Sequence, residues 1–417
     1  MPEGYKEVHH QGTTTLWFQE GVVSILTPRG FLFSVTEAGI KYSGRNDMAL
    51  ICSEGDATVS ALFTRNRVKA APVILDRARL RYARTARAIV VNSGNANACT
   101  GRRGLRDAER ICAEVAKGLC IRQRDVLVSS TGVIGTPMPM ERVISGIRGL
   151  VENLGKSSIE DVASAIMTTD TFPKAASREI NRGNIKGRIA AVAKGAGMIA
   201  PDMATMLCFI ITDLAVEYRA LKAALKDAVG RTFNLLTVDG EMSTNDSVFI
   251  MANGAAGNRP ITHGGRYFNT FGETLFDLCD ELSRMIARDG EGATRLLIIK
   301  VKRALTRRDA RVAALKVANS PLVKTAIYGN DANWGRIMAS VGSTGIRFSE
   351  EKVSIKINGI EVARRGCSTG RDSIASEAMK TEEVVVEIDL GAGRYEERVY
   401  SCDLTEGYIT INAEYRT

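Results

Sequence analysis

The residues with most chemistry to offer lie between two strand-like runs, Arg188 to Ala193 and Met206 to Thr212. The connection reads Lys194-Gly195-Ala196-Gly197-Met198-Ile199-Ala200-Pro201-Asp202-Met203-Ala204-Thr205, which places Thr205 at the mouth of the second run. A threonine hydroxyl is a weak nucleophile at its own pKa and needs a base, and the free α-amine of a threonine that begins a chain is one solution. Such an amine, with a pKa of roughly 7.7–8.0, suits proton transfer near neutrality. Thr205 is internal as encoded, so this chemistry requires cutting Ala204–Thr205. The glycines permit a strained turn there without Cβ clashes. Taken alone, a threonine in a hydrophobic strand is structural far more often than catalytic.

The elements around this stretch argue against a second use for its glycines. Gly195, Gly197 and Ala200 fit G-x-G-x-x-A after a strand, the pattern of a dinucleotide fingerprint. That fingerprint needs a helix opening inside the glycines, with its amides facing a pyrophosphate. Here Pro201 interrupts, and Leu207 to Thr212 is β-branched and aromatic, a strand composition.

Composition narrows the alternatives. With 417 residues the chain should form two or three structural units, and 45% hydrophobic with 25% charged residues is ordinary for a soluble enzyme. No apolar run approaches the roughly 20 residues of a membrane helix. The opening residues lack a signal-peptide core and carry Glu3, Glu7 and Glu20, so the expected location is the cytoplasm. Only three histidines exist, His9, His10 and His263, all poorly placed for a Ser-His-Asp or Cys-His mechanism or a three-histidine metal site. The eight cysteines form no C-x-x-C pair and read as scattered buried thiols. A net charge of +9 permits nucleic-acid or anionic-substrate binding. The densest basic patch is Arg77, Arg79, Arg81, Arg84 and Arg87, of which Arg77, Arg81 and Arg84 share a face if the piece is helical. No nucleic-acid motif accompanies it, and a solvated face is the expectation.

Along the chain, strand signals fall at Gly21 to Leu26, Phe31 to Val35, Met48 to Cys52 and Thr58 to Phe63, spaced as hairpins. The strand Arg87 to Val91 runs into Asn92-Ser93-Gly94-Asn95-Ala96-Asn97-Ala98-Cys99, and an amphipathic helix follows, about Leu105 to Gly118. Asp125 to Val128 leads to Ser129-Ser130-Thr131-Gly132-Val133-Ile134-Gly135. A glycine beside a hydroxyl residue lets backbone amides approach a reacting oxygen, as in an oxyanion hole; a plain strand-end turn has the same look. Helices are read at Glu141 to Asn153 and Ile159 to Met167, before Thr168-Thr169-Asp170-Thr171-Phe172-Pro173-Lys174, with Lys174 a solvated charge on the bland reading. The loop Asp239-Gly240-Glu241-Met242-Ser243-Thr244-Asn245-Asp246 enters the strand Val248 to Ala252, and its carboxylates do not meet EF-hand spacing. A long helix, Tyr267 to Arg288, ends at Asp289-Gly290-Glu291-Gly292, a capping turn that would present Glu291 outward. Strands and hairpins fill the end, the last at Tyr408 to Asn412.

Taken together, these strings resemble the ornithine acetyltransferase family, also called bifunctional glutamate N-acetyltransferase/amino-acid acetyltransferase. The resemblance runs nearly end to end, through the Lys194 to Leu207 segment, the Asn92 and Ser129 strings, Thr168 to Lys174, the loop at Asp239, Lys324 to Ile337 and the closing Ile411 to Thr417. Asp202 stands where the family pattern has Asn, and Ala332 where it has Pro. The resemblance implies a precursor that cuts itself between Ala204 and Thr205, and a new terminal Thr205 that carries the acetyl group. It implies Thr131 and Gly132 as the oxyanion pair, and Thr171, Lys194, Thr205, Glu291, Asn412 and Thr417 as substrate contacts. The implied substrates are N2-acetyl-L-ornithine and L-glutamate, in arginine biosynthesis. Acetyl-CoA is open as a co-substrate, and no cofactor, metal, nucleic acid or membrane is called for.

The fold expected is α/β: a layered αββα sandwich like that of N-terminal-nucleophile hydrolases but differently connected, plus a smaller C-terminal α/β lobe from about residue 300. Residues 1–204 would form an α chain and 205–417 a β chain, assembled as two αβ pairs. A self-processing hydrolase or aminopeptidase, and a family paralogue of secondary metabolism, share the motif. A basic binding protein rests on charge alone.

Overall fold

The structure, a computed structural model, describes residues 8–10, 13–15, 25–200 and 206–414. Ala204, Thr205 and Thr417, on which the expected chemistry also falls, lie outside the described residues, as does most of the strand expected at Gly21 to Leu26.

A short hairpin of β1 (Val8–His10) and β2 (Thr13–Thr15) precedes the main body. In chain order there follow β3 (Phe31–Thr36), β4 (Met48–Phe63), α1 (Ala71–Leu80), β5 (Thr85–Asn92), α2 (Gly101–Gly118), β6 (Val126–Ser130), α3 (Met140–Glu152) and α4 (Ile159–Ala165). Then come β7 (Lys174–Arg182), β8 (Ile185–Lys194), β9 (Leu207–Thr212), α5 (Tyr218–Arg231), β10 (Ser247–Ala252) and α6 (Phe268–Arg288). The strands form one eight-stranded mixed sheet in the order β6-β5-β4-β10-β9-β8-β7, with β3 beside β4.

The alternation of side chains folds this sheet into two layers. On one half, Ala49, Ile51, Ile89, Val91 and Leu127 point inward and Met48, Leu50, Ala88, Val90 and Val126 outward. On the other, Val192, Leu207, Phe209, Ile211 and Phe249 point inward and Ile189, Cys208, Ile210, Val248 and Ile250 outward. The two inward faces pack on each other; α2 and α3 cover one outer face, and α5 and α6 the other. Helix, sheet, sheet, helix is the expected sandwich, and it follows from strands that are apolar on both faces. Phe209 and Phe249 stack at the midline with ring centroids 5.8 Å apart. Burial of each such large side chain contributes about 1.5–3 kcal/mol.

A smaller α/β lobe follows. It comprises β11 (Leu296–Ala304), α7 (Arg307–Ala318), α8 (Pro321–Tyr328), α9 (Trp334–Gly342), β12 (Ser354–Ile357), β13 (Ile360–Arg364), β14 (Cys367–Ser368), α10 (Asp372–Ala378), β15 (Glu383–Asp389), β16 (Tyr395–Cys402) and α11 (Glu406–Glu414). Its six-stranded sheet runs β14-β13-β12-β15-β11-β16. Leu296, Ile298, Tyr400 and Cys402 turn toward α6, so that one helical layer serves both sheets.

Four expectations change. Met48–Cys52 and Thr58–Phe63 are one continuous strand, because the polar Ser53–Asp56 piece is absorbed as an irregularity between Cys52 and Ala57 rather than a turn. Tyr408 to Asn412 lies in α11, not a strand. The arginine patch is not one helical face, since α1 stops at Leu80 and Arg87 belongs to β5. All eight cysteines are free thiols, but Cys99, Cys120 and Cys367 are exposed. Among the described residues no helix is long and apolar enough to cross a membrane.

Candidate active site

β8 and β9 are antiparallel neighbours with Lys194 opposite Leu207, so both ends of the 195–206 connection return to one place. No helix opens inside its glycines, as the dinucleotide reading would need. Lys194 is 3% exposed; its ammonium donates to the Thr168 hydroxyl at 2.8 Å and lies 3.8 Å from Asp170 Oδ2. Asp170 is the hub beneath it. It accepts from the amides of Thr168 and Gly195 at 3.0 and 2.7 Å and from Lys174 Nζ at 2.7 Å. Burial alone would raise its pKa, but Lys174 and Lys194 outweigh that and hold the carboxyl well below the usual range. Lys174 also bonds Asp289 at the end of α6, which couples the floor of the site to that helix.

The second wall comes from the parallel pair β5 and β6, which end side by side at Asn92 and Ser130. The Thr131 amide donates to the Asn92 carbonyl at 3.0 Å. Both Thr131 and Gly132 line the cleft, and neither the Thr131 hydroxyl nor the Gly132 amide donates a hydrogen bond among the described residues. Gly132 sits at φ +130°, and a Cβ there would lie 2.3 Å from the Gly94 carbonyl carbon and 2.5 Å from Asn95 N. Only glycine fits on both counts. Asn245 braces this corner, its amide nitrogen donating to the carbonyls of Ala96 and Ser130 at 2.6 and 2.7 Å.

The third wall is acidic. The Glu291 amide donates to the Ala196 carbonyl at 3.0 Å, and Asn412 Nδ2 donates to Glu291 Oε2 at 2.8 Å. A Cβ on Gly197 would lie 2.2 Å from Glu291 Oε2, so the glycine is what admits the carboxylate. Asp239 accepts from the amides of Met198, Ile199 and Glu241 at 2.6, 2.9 and 3.0 Å. Those bonds hold Met198 in the left-handed region at φ +55°. Farther along the same loop, Asp246 Oδ1 accepts from the Met206 amide at 3.2 Å, while Oδ2 is buried and accepts no hydrogen bond among the described residues. Burial pushes its pKa well above the carboxylate range, against the pull of the Met206 amide. Met206 is the residue after Thr205.

Residues 32–417 match the ArgJ family. The chain is 48% identical to the arginine biosynthesis bifunctional protein ArgJ of Caldanaerobacter subterraneus subsp. tengcongensis, over 94% of this chain and 98% of the relative. It is 47% identical to the protein of the same name from Geobacter sulfurreducens, over 93% and 99%. Among solved structures, an ArgJ from Bacillus halodurans aligns at 38% identity over 50% of this chain and 98% of that one, with a TM-score of 0.48. The chain belongs to the ArgJ family.

In this ArgJ-family chain, Thr131, Gly132, Lys194, Glu291 and Asn412 line a single cleft with about 730 Å³ of open space. Thr171 is placed differently. Its hydroxyl and amide both go to Asp289, the amide at 3.0 Å from Oδ2, and it does not line the cleft. Glu291 does not face outward as its capping turn suggested; it is 9% exposed and turned into the cleft by Asn412. Lys174 is no solvated charge but fully buried between two carboxylates. Asp170, Asp239, Asn245 and Asp246 carry the site's framework and were not singled out from sequence. The signal available was their membership of the Thr168 and Asp239 strings.

Proposed function

We propose that the chain cuts itself between Ala204 and Thr205 and then moves acetyl groups from N2-acetyl-L-ornithine to L-glutamate through an acetyl-Thr205 ester. As a member of the ArgJ family it is an acyltransferase of arginine biosynthesis. The Thr205 oxygen attacks the acetyl carbonyl carbon while the Thr205 amine takes the hydroxyl proton. The tetrahedral oxyanion is held by the Thr131 hydroxyl and the Gly132 amide. Collapse breaks the amide bond, and ornithine leaves with the proton on its nitrogen. Glutamate's amine then attacks the ester, which restores Thr205. Lys194 takes a substrate carboxylate, Glu291 with Asn412 takes an amino group, and Thr417 completes the contacts, while Thr171 acts only through its bonds to Asp289. No cofactor enters this scheme, and acetyl-CoA serves as a further donor, which the name bifunctional among relatives supports.

The observation that carries the reading is that Gly132, Lys194 and Glu291 line one cleft, with Lys194 paired to Leu207, the second residue after Thr205 in the sequence. The reading includes a cytoplasmic enzyme of two αβ pairs, with residues 1–204 and 205–417 as its chains.

The test is the intact mass of the purified protein together with acetyl exchange between ornithine and glutamate. Two fragments meeting at Thr205, and a single inert chain for Thr205→Ala, are expected. An uncut chain that still turns over would overturn the scheme.

A further inference from the structure

The cleft is a poor place for a polyanion. Among the described residues Asp239, Glu241 and Glu291 line it, against the ammonium of Lys194 alone, which already faces Asp170. A phosphate-bearing donor must therefore keep its phosphates elsewhere while its acyl end enters.

A second concavity lies beside the cleft, where β4 ends and α1 begins. Leu62, Phe63, Arg65, Lys69 and Arg77 line it, the Lys69 ammonium also donates to the Asn66 carbonyl, and among the described residues no carboxylate lines it. About 640 Å³ is open there. The wall it shares with the cleft is one thickness of chain. Thr64 N donates to the Asp246 carbonyl at 2.9 Å, the Thr64 hydroxyl to Ser243 O at 2.8 Å, Asn66 Nδ2 to Met242 O at 2.8 Å and Ala70 N to Thr244 O at 2.9 Å. Ser243 and Thr244, on the far side of those bonds, line the cleft. Phe63 and Ile134, one from each concavity, pack on the same small cluster of Ala70, Val73, Ala96 and Ala98.

We propose that the Arg65, Lys69 and Arg77 concavity docks the phosphorylated nucleotide end of an acyl-thioester donor whose arm passes over the 242–246 wall into the cleft. This rests on the proposed use of acetyl-CoA and adds where its charge is held. Guanidinium and ammonium groups are the donors that phosphate oxygens select, and the apolar side chains of Leu62 and Phe63 suit the face of a base. The ornithine route carries no phosphate and makes no use of these cations.

The experiment compares three donors for glutamate acetylation by the intact enzyme: acetyl-CoA, the phosphate-free thioester S-acetyl-N-acetylcysteamine, and N2-acetyl-L-ornithine. Lys69→Gln/Arg77→Gln should raise KM for acetyl-CoA by about tenfold or more, the scale of a lost charge-assisted hydrogen bond. The same variant should leave both other donors unchanged, which also reports that it folds. KM for acetyl-CoA alone should climb with ionic strength. An unchanged acetyl-CoA KM in the variant would overturn the docking site. So would a wild-type enzyme that exchanges acetyl between ornithine and glutamate yet draws none from acetyl-CoA, although the transfer scheme would then stand. Absence of ornithine exchange in the wild type would sink that scheme and, with it, this proposal.

Discussion

Lys174 Nζ lies 2.7 Å from Asp170 Oδ1 with neither side chain exposed to solvent. The same ammonium bonds Asp289, so one cation ties the start of β7, the loop after α4 and the end of α6 beneath the cleft. Lys174→Met would leave two buried carboxylates short of their partner. A loss of about 3–5 kcal/mol in unfolding free energy is expected, the usual result of removing one side of a buried pair. Denaturant melts would measure it, and a loss below about 1 kcal/mol would show that the pair is not the tie described.

Asp246 titrates in the opposite sense to Asp170. Its folded pKa is raised, so it binds a proton more tightly in the folded state, and its contribution turns unfavourable as pH rises above the ordinary carboxylate value of about 3.9. Asp246→Asn keeps an acceptor for the Met206 amide and removes the charge. Its stability relative to the wild type should therefore improve steadily from acid toward neutral pH. Denaturant midpoints at a series of pH values measure this, and a pH-independent difference would contradict the assignment.

Gly132→Ala puts a methyl carbon against the Gly94 carbonyl and forces a side chain into φ +130°. The amide must move, and kcat for acetyl exchange should fall by about 10²–10³, the cost of one lost oxyanion donor. KM should change far less. A variant that retains wild-type kcat would remove Gly132 from the oxyanion role.

Glu291→Gln preserves shape and an acceptor for Asn412 while discharging the acidic wall. Substrate kcat/KM should drop by about tenfold or more, from loss of a hydrogen bond between charged groups. The loss should fall on KM for amino-acid substrates, read from initial rates over a concentration series. Unchanged KM would mean that the substrate's amine does not meet this carboxylate.

Much of the sandwich could be read from the chain because its central strands are apolar on both faces. Ile189 to Val192 and Leu207 to Ile211 are such runs, and every residue of β9 is buried. The Gly132 turn was legible as a glycine beside a hydroxyl, although only the fold reveals that the Thr131 amide is spent on Asn92. Lys174 could not be read correctly, since one of its partners stands 115 residues away. Tyr408-Ile409-Thr410-Ile411 has the β-branched and aromatic composition of a strand, although it lies in the helix α11. Its start is set instead by Thr405, whose hydroxyl accepts from the Gly407 amide at 3.0 Å, a capping signal that local composition outweighed. In β4 the polar residues Ser53–Asp56 look like a turn, whereas pairing to β3, β5 and β10 on either side carries the strand through.

The order of the large sheet carries one more consequence. β9 and β10, both beyond residue 205, are flanked by β8 on one side and β4 on the other, both before it. Opening the Ala204–Thr205 bond would not set two bodies free. Each fragment would remain threaded through the other's hydrogen-bond ladder, twelve residues of one wedged into the middle of the other. The nicked protein should therefore behave as a single cooperative unit on heating, with its halves parting only when the whole sheet melts.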